Sequence, residues 1–261
     1  MSTDKIKEFQ EEVRRNIEEI SKDEELKEYA LKWIVESFYK KYSYNFSWMG
    51  RPIIQYPQDI VAMQELVWSV KPDLIIETGI AHGGSLIFYS SMMQLVYGTD
   101  YTKGHVLGID IDIREHNRRE IEAHPMFDRI TMFEGSSIDD SIMAKIDEFV
   151  IKGQYKKILV VLDSMHTTEH VLEELRKYSK YVTKGSYIVA MDTYTEKVFG
   201  EIEKQGKGAE HLNRDFGANS GPLSAVKIFL DENCRFEIAD DVWEKLSITC
   251  APQGYLRCIS D

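Results

Sequence analysis

Pro72 to Ser85 reads Pro-Asp-Leu-Ile-Ile-Glu-Thr-Gly-Ile-Ala-His-Gly-Gly-Ser, and the order of its residue types decides the fold. Leu74, Ile75 and Ile76 form the short apolar run of a strand covered on both faces. Glu77 ends the run. Gly79, Gly83 and Gly84 then let the backbone turn tightly and approach a ligand, because they carry no Cβ. Ser85 is suited to cap the helix expected over Leu86 to Val96. A strand, a glycine turn and a helix N-terminus in succession make a ligand site at the carboxyl edge of a parallel sheet.

Outward from this stretch the same pattern recurs. His105 to Ile109 reads as a second strand ending at Asp110, followed by a helix from Arg114 to His124 that Pro125 closes. Arg129 to Phe133 is a third strand, ending at Glu134 before Gly135-Ser136-Ser137, with a helix over Ile138 to Val150. Lys157 to Leu162 is a fourth strand ending at Asp163, with a helix over Thr167 to Tyr181. Ser186 to Ala190 is a fifth, ending near Asp192. Strands alternating with helices specify an α/β fold, a doubly wound Rossmann-like sheet with right-handed crossovers. Beyond it, Glu196 to Gly208 is charged and glycine-containing and is read as mobile. Pro222 to Leu230 reads as a helix. Arg235 to Ile238 and Ser247 to Ile259, the latter interrupted by Pro252-Gln253-Gly254, read as an antiparallel C-terminal edge of a mostly parallel sheet.

Towards the N-terminus, a helix over Asp59 to Val70 leads into the first strand. Residues 44–58 are aromatic and irregular and suit either a substrate-facing loop or a satellite core. Residues 4–43 place Ile6, Phe9, Val13, Ile17 and Ile20 at helical steps, with a break at Ser21 to Asp23 and a second helix from Leu26 to Tyr42. This divides the chain into an N-terminal helical arm and aromatic loop, 1–58, and a ligand-binding domain, 59–261. The narrow stripe on the arm fits its own domain or a second copy of the chain, a homo-oligomer through the N-terminal helices.

The formal net charge of −12 argues against a nucleic-acid groove, which needs clustered Lys and Arg. No apolar run approaches the roughly eighteen residues of a membrane span. The three cysteines, Cys234, Cys250 and Cys258, are sparse and lack zinc spacing, as expected of a reducing cytoplasm.

The glycine turn narrows the ligand. A dinucleotide fingerprint would need Gly-x-Gly-x-x-Gly, and Ala81 stands at the middle position, where backbone approaches a pyrophosphate. S-adenosylmethionine carries an ammonium and a sulfonium and no phosphate, so Glu77 at the strand end suits it better. Nicotinamide binding remains the alternative. Every strand ends in an acid: Glu77, Asp110, Glu134, Asp163 and Asp192 would share one rim. Asp110, with Asp112 behind it, is placed to accept from ribose hydroxyls. Ser136 and Ser137 are placed to bond an adenine or its linker, or to cap the next helix. Asp163 and Asp192 together suit a hard divalent cation. His166, three residues after Asp163, is the candidate base for a substrate hydroxyl. The same residues contain His166-Thr-Thr-Glu169-His170, a His-x-x-Glu-His pattern that raises zinc hydrolysis as a further alternative.

In combination these motifs resemble the cephalosporin hydroxylase family, whose members are S-adenosylmethionine-dependent O-methyltransferases related to macrolide-sugar and rhamnosyl O-methyltransferases. The resemblance runs from Trp48-x-Gly50 and Pro57-x-Asp59 through Lys71 to Gly79, Gly83-Gly84-Ser85, Gly108 to Asp112 and Gly135-Ser136-Ser137. It continues with Asp163-Ser164-x-His166, Gly221-Pro222 and Pro252-x-Gly254. It implies a Rossmann-like methyltransferase fold and Mg²⁺-assisted methylation of a sugar hydroxyl, in a glycan or a small natural product. It implies cofactor binding by Glu77, Gly79, Ala81, Gly83, Ser85, Asp110, Ser136, Ser137 and Asp163, metal binding by Asp163 and Asp192, and catalysis by His166 with Asp163. One position departs: the family has Glu-Asp after the fifth strand where this chain has Met191-Asp192. Three outcomes follow from the lost carboxylate: weaker metal affinity, replacement by Glu196 or water, or no metal at all.

Overall fold

The computed structural model describes residues 2–206 and 220–261. Two helices, α1 (Ser2–Lys22) and α2 (Glu24–Tyr39), are separated at Asp23, whose carboxylate caps α2 by accepting from the Leu26 N–H. A small antiparallel hairpin follows, β1 (Phe46–Trp48) and β2 (Arg51–Ile53), and then α3 (Pro57–Val70). The chain then alternates through β3 (Leu74–Thr78), α4 (Gly84–Tyr97), β4 (His105–Asp110), α5 (Glu115–Glu122) and β5 (Ile130–Glu134). It continues through α6 (Asp140–Gly153), β6 (Ile158–Leu162), α7 (Thr168–Tyr178), β7 (Tyr187–Ala190) and α8 (Thr195–Lys204). The last elements are α9 (Pro222–Glu232), β8 (Phe236–Ile238), α10 (Asp240–Trp243) and β9 (Tyr255–Cys258).

These strands build a seven-stranded sheet in the order β5-β4-β3-β6-β7-β9-β8. Strands β3 to β7 pair in parallel, and β9 runs antiparallel to both β7 and β8. The expected antiparallel edge is therefore present. It is shorter than the sequence suggests, because 240–254 turns through α10 and a 3₁₀ turn instead of extending the strand. The central strands are apolar on both faces because helices cover both: Ile75, Leu159 and Val189 pack into one core layer and Ile76, Val160 and Ile188 into the other.

Two segments differ from expectation. Residues 195–204 form helix α8, with Val198, Phe199 and Ile202 buried beneath its charged face. Gln205 and Gly206 follow as a turn, and the last two residues of the stretch read as mobile, Lys207 and Gly208, lie outside the described residues. The aromatic stretch after α2 is mostly core. Trp48 meets Phe88 edge-on at 4.9 Å and donates from Nε1 to Ser91 Oγ, and Tyr56 is 1% exposed among Trp33, Tyr42 and Tyr194. Tyr44 and Met49 are the large apolar side chains of that stretch that stay exposed. On the arm, Ile34 and Val35 of α2 join the main core, whereas Ile6, Phe9 and Val13 of α1 are exposed.

Candidate active site

The chain enters the sheet at its middle. Strand β3 pairs with β4 on one side and β6 on the other, so the connections leaving β3 and β6 diverge and open a crevice at their carboxyl ends. Gly79 sits in that crevice with φ +89°, and a Cβ there would lie 2.0 Å from the Asp163 carbonyl oxygen. Only glycine fits this crossing. Ala81 also has positive φ, 44°. It is held there by bonds on both sides: its N–H donates to Asp110 Oδ2, and its carbonyl accepts from Asn117 Nδ2.

Asp110 closes the turn. Oδ2 accepts from the N–H groups of Ile80 and Ala81 at 2.8 and 3.1 Å, and Oδ1 accepts from Asp112 N–H. The backbone donors that would cradle a pyrophosphate thus already face a carboxylate. The carboxylate keeps lone-pair capacity for a ligand hydroxyl. Glu77 is fully buried; its Oε2 accepts from Ser85 Oγ at 2.8 Å, and Oε1 has no partner. Burial pushes its carboxyl up to about 8, with Ser85 opposing the shift and the Asp110 charge adding to it. Ser85 is therefore a partner of Glu77 and lies inside the first turn of α4; the position before that helix is Gly83, in the left-handed region.

Two clefts meet at this turn. One, of about 450 Å³, is lined by Asp110, Ile111, Ser136, Ser137 and Met165. The other, of about 260 Å³, is lined by Tyr44, Gln55, His82, Ser85 and Asp192. Gly79, Ala81, Asp163, Ser164 and His166 border both. Among the described residues neither cleft is lined by Lys or Arg. Where they join, His166 Nε2 lies 3.2 Å from Asp192 Oδ2 and 3.7 Å from Asp163 Oδ1. One ligand atom from each of Asp163, His166 and Asp192 falls within 4.8 Å of the others. His166 precedes α7, and Asp192 reaches the site from a left-handed backbone, φ 57°.

Several expectations change. His170 does not converge with His166: its Nε2 faces Ser137 Oγ at 3.0 Å, Ser164 Oγ at 3.2 Å and buried Glu174, and Glu169 is exposed. The zinc pattern is an accident of helix spacing. Ser137 bonds His170 and does not cap α6, whose N-cap is Asp139. Glu134 pairs with Arg118 on the surface. Glu196 does not replace a metal ligand, since it accepts from the N–H and hydroxyl of Ser224 at the start of α9. Met191 is 1% exposed and packs in the core.

The model of one family, described as Rhamnosyl O-methyltransferase/CmcI, matches residues 40–259. The chain belongs to that family. Among curated relatives, rhamnosyl O-methyltransferase of Mycobacterium leprae (strain TN) is 29% identical over 232 residues, 85% of this chain and 90% of the relative. Rhamnosyl O-methyltransferase of Mycobacterium bovis (strain BCG / Pasteur 1173P2) is 28% identical over 230 residues, 85% of this chain and 84% of the relative. Among solved structures, the CmcI-N160 apo-structure aligns with TM-score 0.54 at 16% identity, covering 84% of this chain and 78% of that one. The structure described as cmcI-D160 Mg-SAM aligns with TM-score 0.50 at 16% identity, covering 83% and 78%. At these identities the solved structures speak for the fold, which is the Rossmann-like sheet expected.

The sequence reading of this family member missed its clamp. Arg51 donates from Nε and Nη2 to the His82 carbonyl, at 3.0 and 2.7 Å, and from Nη2 to Asn117 Oδ1. Asn117 in turn donates to the Ala81 carbonyl. This ties the β1–β2 hairpin to the glycine turn. Arg51 stands alone among aromatics in the sequence, and Asn117 in a charged helix, so neither follows a periodic signal.

Proposed function

We propose that this protein is an S-adenosylmethionine-dependent O-methyltransferase that methylates a sugar hydroxyl, with rhamnosyl acceptors the first class to test. The observation that carries the reading is His166, held between Asp163 and Asp192 where two acid-lined clefts join. Membership of the rhamnosyl O-methyltransferase/CmcI family supports it, and so do the names of the mycobacterial relatives. A nicotinamide reading loses support because the turn N–H groups face Asp110 instead of open space.

The residues fit the cofactor. Its two cations match a crevice bordered by Asp110 and Asp163, and the unpartnered Oε1 of Glu77, fully buried behind the glycine turn, is an acceptor in want of a donor. Asp110 and Ser136 would face the adenosine half, and Gly79, Ala81, Gly83 and Ser85 shape the turn around the other. The donor set also fits Mg²⁺, which takes one or two carboxylates and completes its shell with water and substrate oxygen; Asp163 and Asp192 would hold it. When bound, the sulfonium supplies the methyl group and the cation lowers the acceptor hydroxyl's pKa.

The chain's own residues do the rest. The rigid turn and hairpin align acceptor and donor, and positioning supplies much of the rate of an in-line displacement. The His166 imidazole accepts the hydroxyl proton, and the imidazolium so formed lies beside two carboxylates. Tyr44, 46% exposed at the cleft mouth, offers an aromatic face to a sugar ring. A cytoplasmic setting is supported by the three free cysteines. Self-association through α1 is supported by exposed Ile6, Phe9 and Val13 on one face. No helix among the described residues is long and apolar enough to cross a membrane.

Calorimetric titration with S-adenosylhomocysteine, with and without Mg²⁺, tests the cofactor. Transfer of labelled methyl to rhamnosides then tests the acceptor. Absence of S-adenosylhomocysteine binding in both conditions would sink the reading.

A further inference from the structure

Two sequence motifs, Pro57-x-Asp59 and Pro252-x-Gly254, line neither cleft, yet they meet each other in the fold. Asp59 stands in the first turn of α3 and is fully buried. All three of its hydrogen bonds come from one segment near the C-terminus. Oδ1 accepts from the Thr249 hydroxyl and, at 2.9 Å, from the Tyr255 hydroxyl. Oδ2 accepts from the Cys250 N–H at 2.9 Å. A buried carboxylate is costly unless its oxygens are satisfied, and these charge-assisted bonds fix residues 249–255 against α3.

That segment in turn grips the loop that carries Asp192. The Ala190 N–H donates to the Gly254 carbonyl at 2.9 Å, and the Tyr194 N–H donates to the Cys250 carbonyl at 3.2 Å. Between them, the Thr193 hydroxyl donates to the Pro252 carbonyl at 2.7 Å. Gly254 admits no side chain at this crossing, since a Cβ there would lie 2.2 Å from the Ala190 carbonyl oxygen. The loop is also tied from within. The Met191 N–H donates to the Leu162 carbonyl, and the Asp192 carbonyl accepts from the N–H and hydroxyl of Thr195.

Asp192 has φ 57°, a backbone that a residue with a side chain keeps only where its surroundings over-determine it. The ties at 190 and 191 on one side and at 193 and 194 on the other do so. This backbone aims the carboxylate at His166, 3.2 Å from Nε2. Met191 leaves Asp192 as the one carboxylate of residues 190–195, so its aim has no substitute there. We propose that Asp59 is a positioning residue for Asp192, acting through the 249–255 segment without entering the site. The assignment rests on the reading of Asp192 as a cation ligand. It gives both motifs one task, in which Asp59 anchors the segment and Pro252 and Gly254 hold the loop.

Mn²⁺ binding, read from the paramagnetic resonance of the free ion, and S-adenosylhomocysteine binding, read by calorimetry, separate positioning from folding in the full chain. Asp59→Asn puts a donor where donors already converge. It should weaken Mn²⁺ by about 10–100-fold, the usual cost of losing a group that orients a metal ligand, and leave S-adenosylhomocysteine within about twofold. Ser186→Ala is the control for stability alone. It removes a buried hydrogen bond to the Ile158 carbonyl just ahead of β7, at the end remote from Asp192, and should lower the melting temperature without moving Mn²⁺. If Asp59→Asn does not fold, Thr249 decides: Thr249→Val should weaken Mn²⁺, and Thr249→Ser, which keeps the hydroxyl, should restore it. Unchanged Mn²⁺ affinity in Asp59→Asn, an equal loss in Ser186→Ala, or Thr249→Ser no better than Thr249→Val overturns the assignment and leaves the cation reading standing. Failure of the unaltered protein to bind Mn²⁺ overturns both.

Discussion

Gly79 and Asp163 cross so closely that any side chain at 79 would enter the Asp163 carbonyl, 2.0 Å from an ideal Cβ. The contact joins the exits of β3 and β6, and with them the cofactor turn and the acidic pair. Gly79→Ala must therefore move backbone, not a side-chain tip, and it also imposes a Cβ at φ +89°. We expect a loss of about 2–4 kcal/mol in urea unfolding, together with loss of S-adenosylhomocysteine binding. Wild-type stability would mean that the two exits are free to separate.

His166→Gln should lower methyl transfer by about 10²–10⁴-fold, the usual range for a general base, while S-adenosylhomocysteine still binds. Rates near wild type in a single-turnover assay would remove His166 from proton transfer and leave it a neighbour of Asp163 and Asp192.

Asp192→Asn keeps the shape of the site and removes one of its two carboxylate charges. Mg²⁺ or Mn²⁺ binding, followed by calorimetry in the absence of acceptor, should weaken by about tenfold or more, because ligand charge sets affinity for hard cations. Asp139→Asn, at the N-cap of α6 and outside the site, should leave binding unchanged. Equal effects from the two would show that the cation is held elsewhere.

Burial raises the Glu77 carboxyl to about 8 from an ordinary value of 4.5. A raised carboxyl stabilises the fold fully below 4.5, and that contribution is lost as pH climbs through about 8. A ligand ammonium favours the ionised form, so binding near pH 7 should expel up to about one proton. Calorimetry in two buffers of different ionisation heat measures it. Glu77→Gln should abolish the release, and so should working well above pH 8. Buffer-independent heats in the unaltered protein would place the ammonium away from Glu77.

Arg51→Met removes the clamp between the β1–β2 hairpin and the glycine turn. Charged hydrogen bonds of this kind contribute about 1.5–3 kcal/mol each before relaxation, so a loss of roughly 2 kcal/mol in stability is expected. Faster amide exchange should appear at Ile80 to Gly84. Unaltered exchange there would show that the hairpin is held by Trp48 and Ile53 alone.

The parallel sheet, the glycine turn and the acids at the strand ends were legible because each has a local signature: apolar runs broken by a carboxylate and glycines. Asp163, His166 and Asp192 were legible as candidates for the same reason. Arg51 and Asn117 were not, because their importance arises where the hairpin folds back across the turn, a contact between segments distant in sequence. Ser85 was misread as a cap, and a cap was one of the two readings of Ser137, since a serine near a helix start looks the same whether it meets a backbone N–H or, as here, Glu77 and His170. Residues 195–204 were misread because charge masked Val198, Phe199 and Ile202 on the inner face of α8.

The strand order carries a consequence for how the chain comes into being. Strands β3, β4 and β5 are neighbours in the sheet and in sequence, so one half of it can assemble as soon as residue 134 has left the ribosome. Strand β3 is then an open edge until β6 arrives, and the carboxylate of Asp73, just ahead of β3, is already in place to receive it through the N–H groups of Lys156 and Lys157. The crevice comes into existence only with that docking. During synthesis this protein passes through a stage with a bare strand edge built on Leu74, Ile75 and Ile76, where pairing with the wrong partner competes with completion of the site.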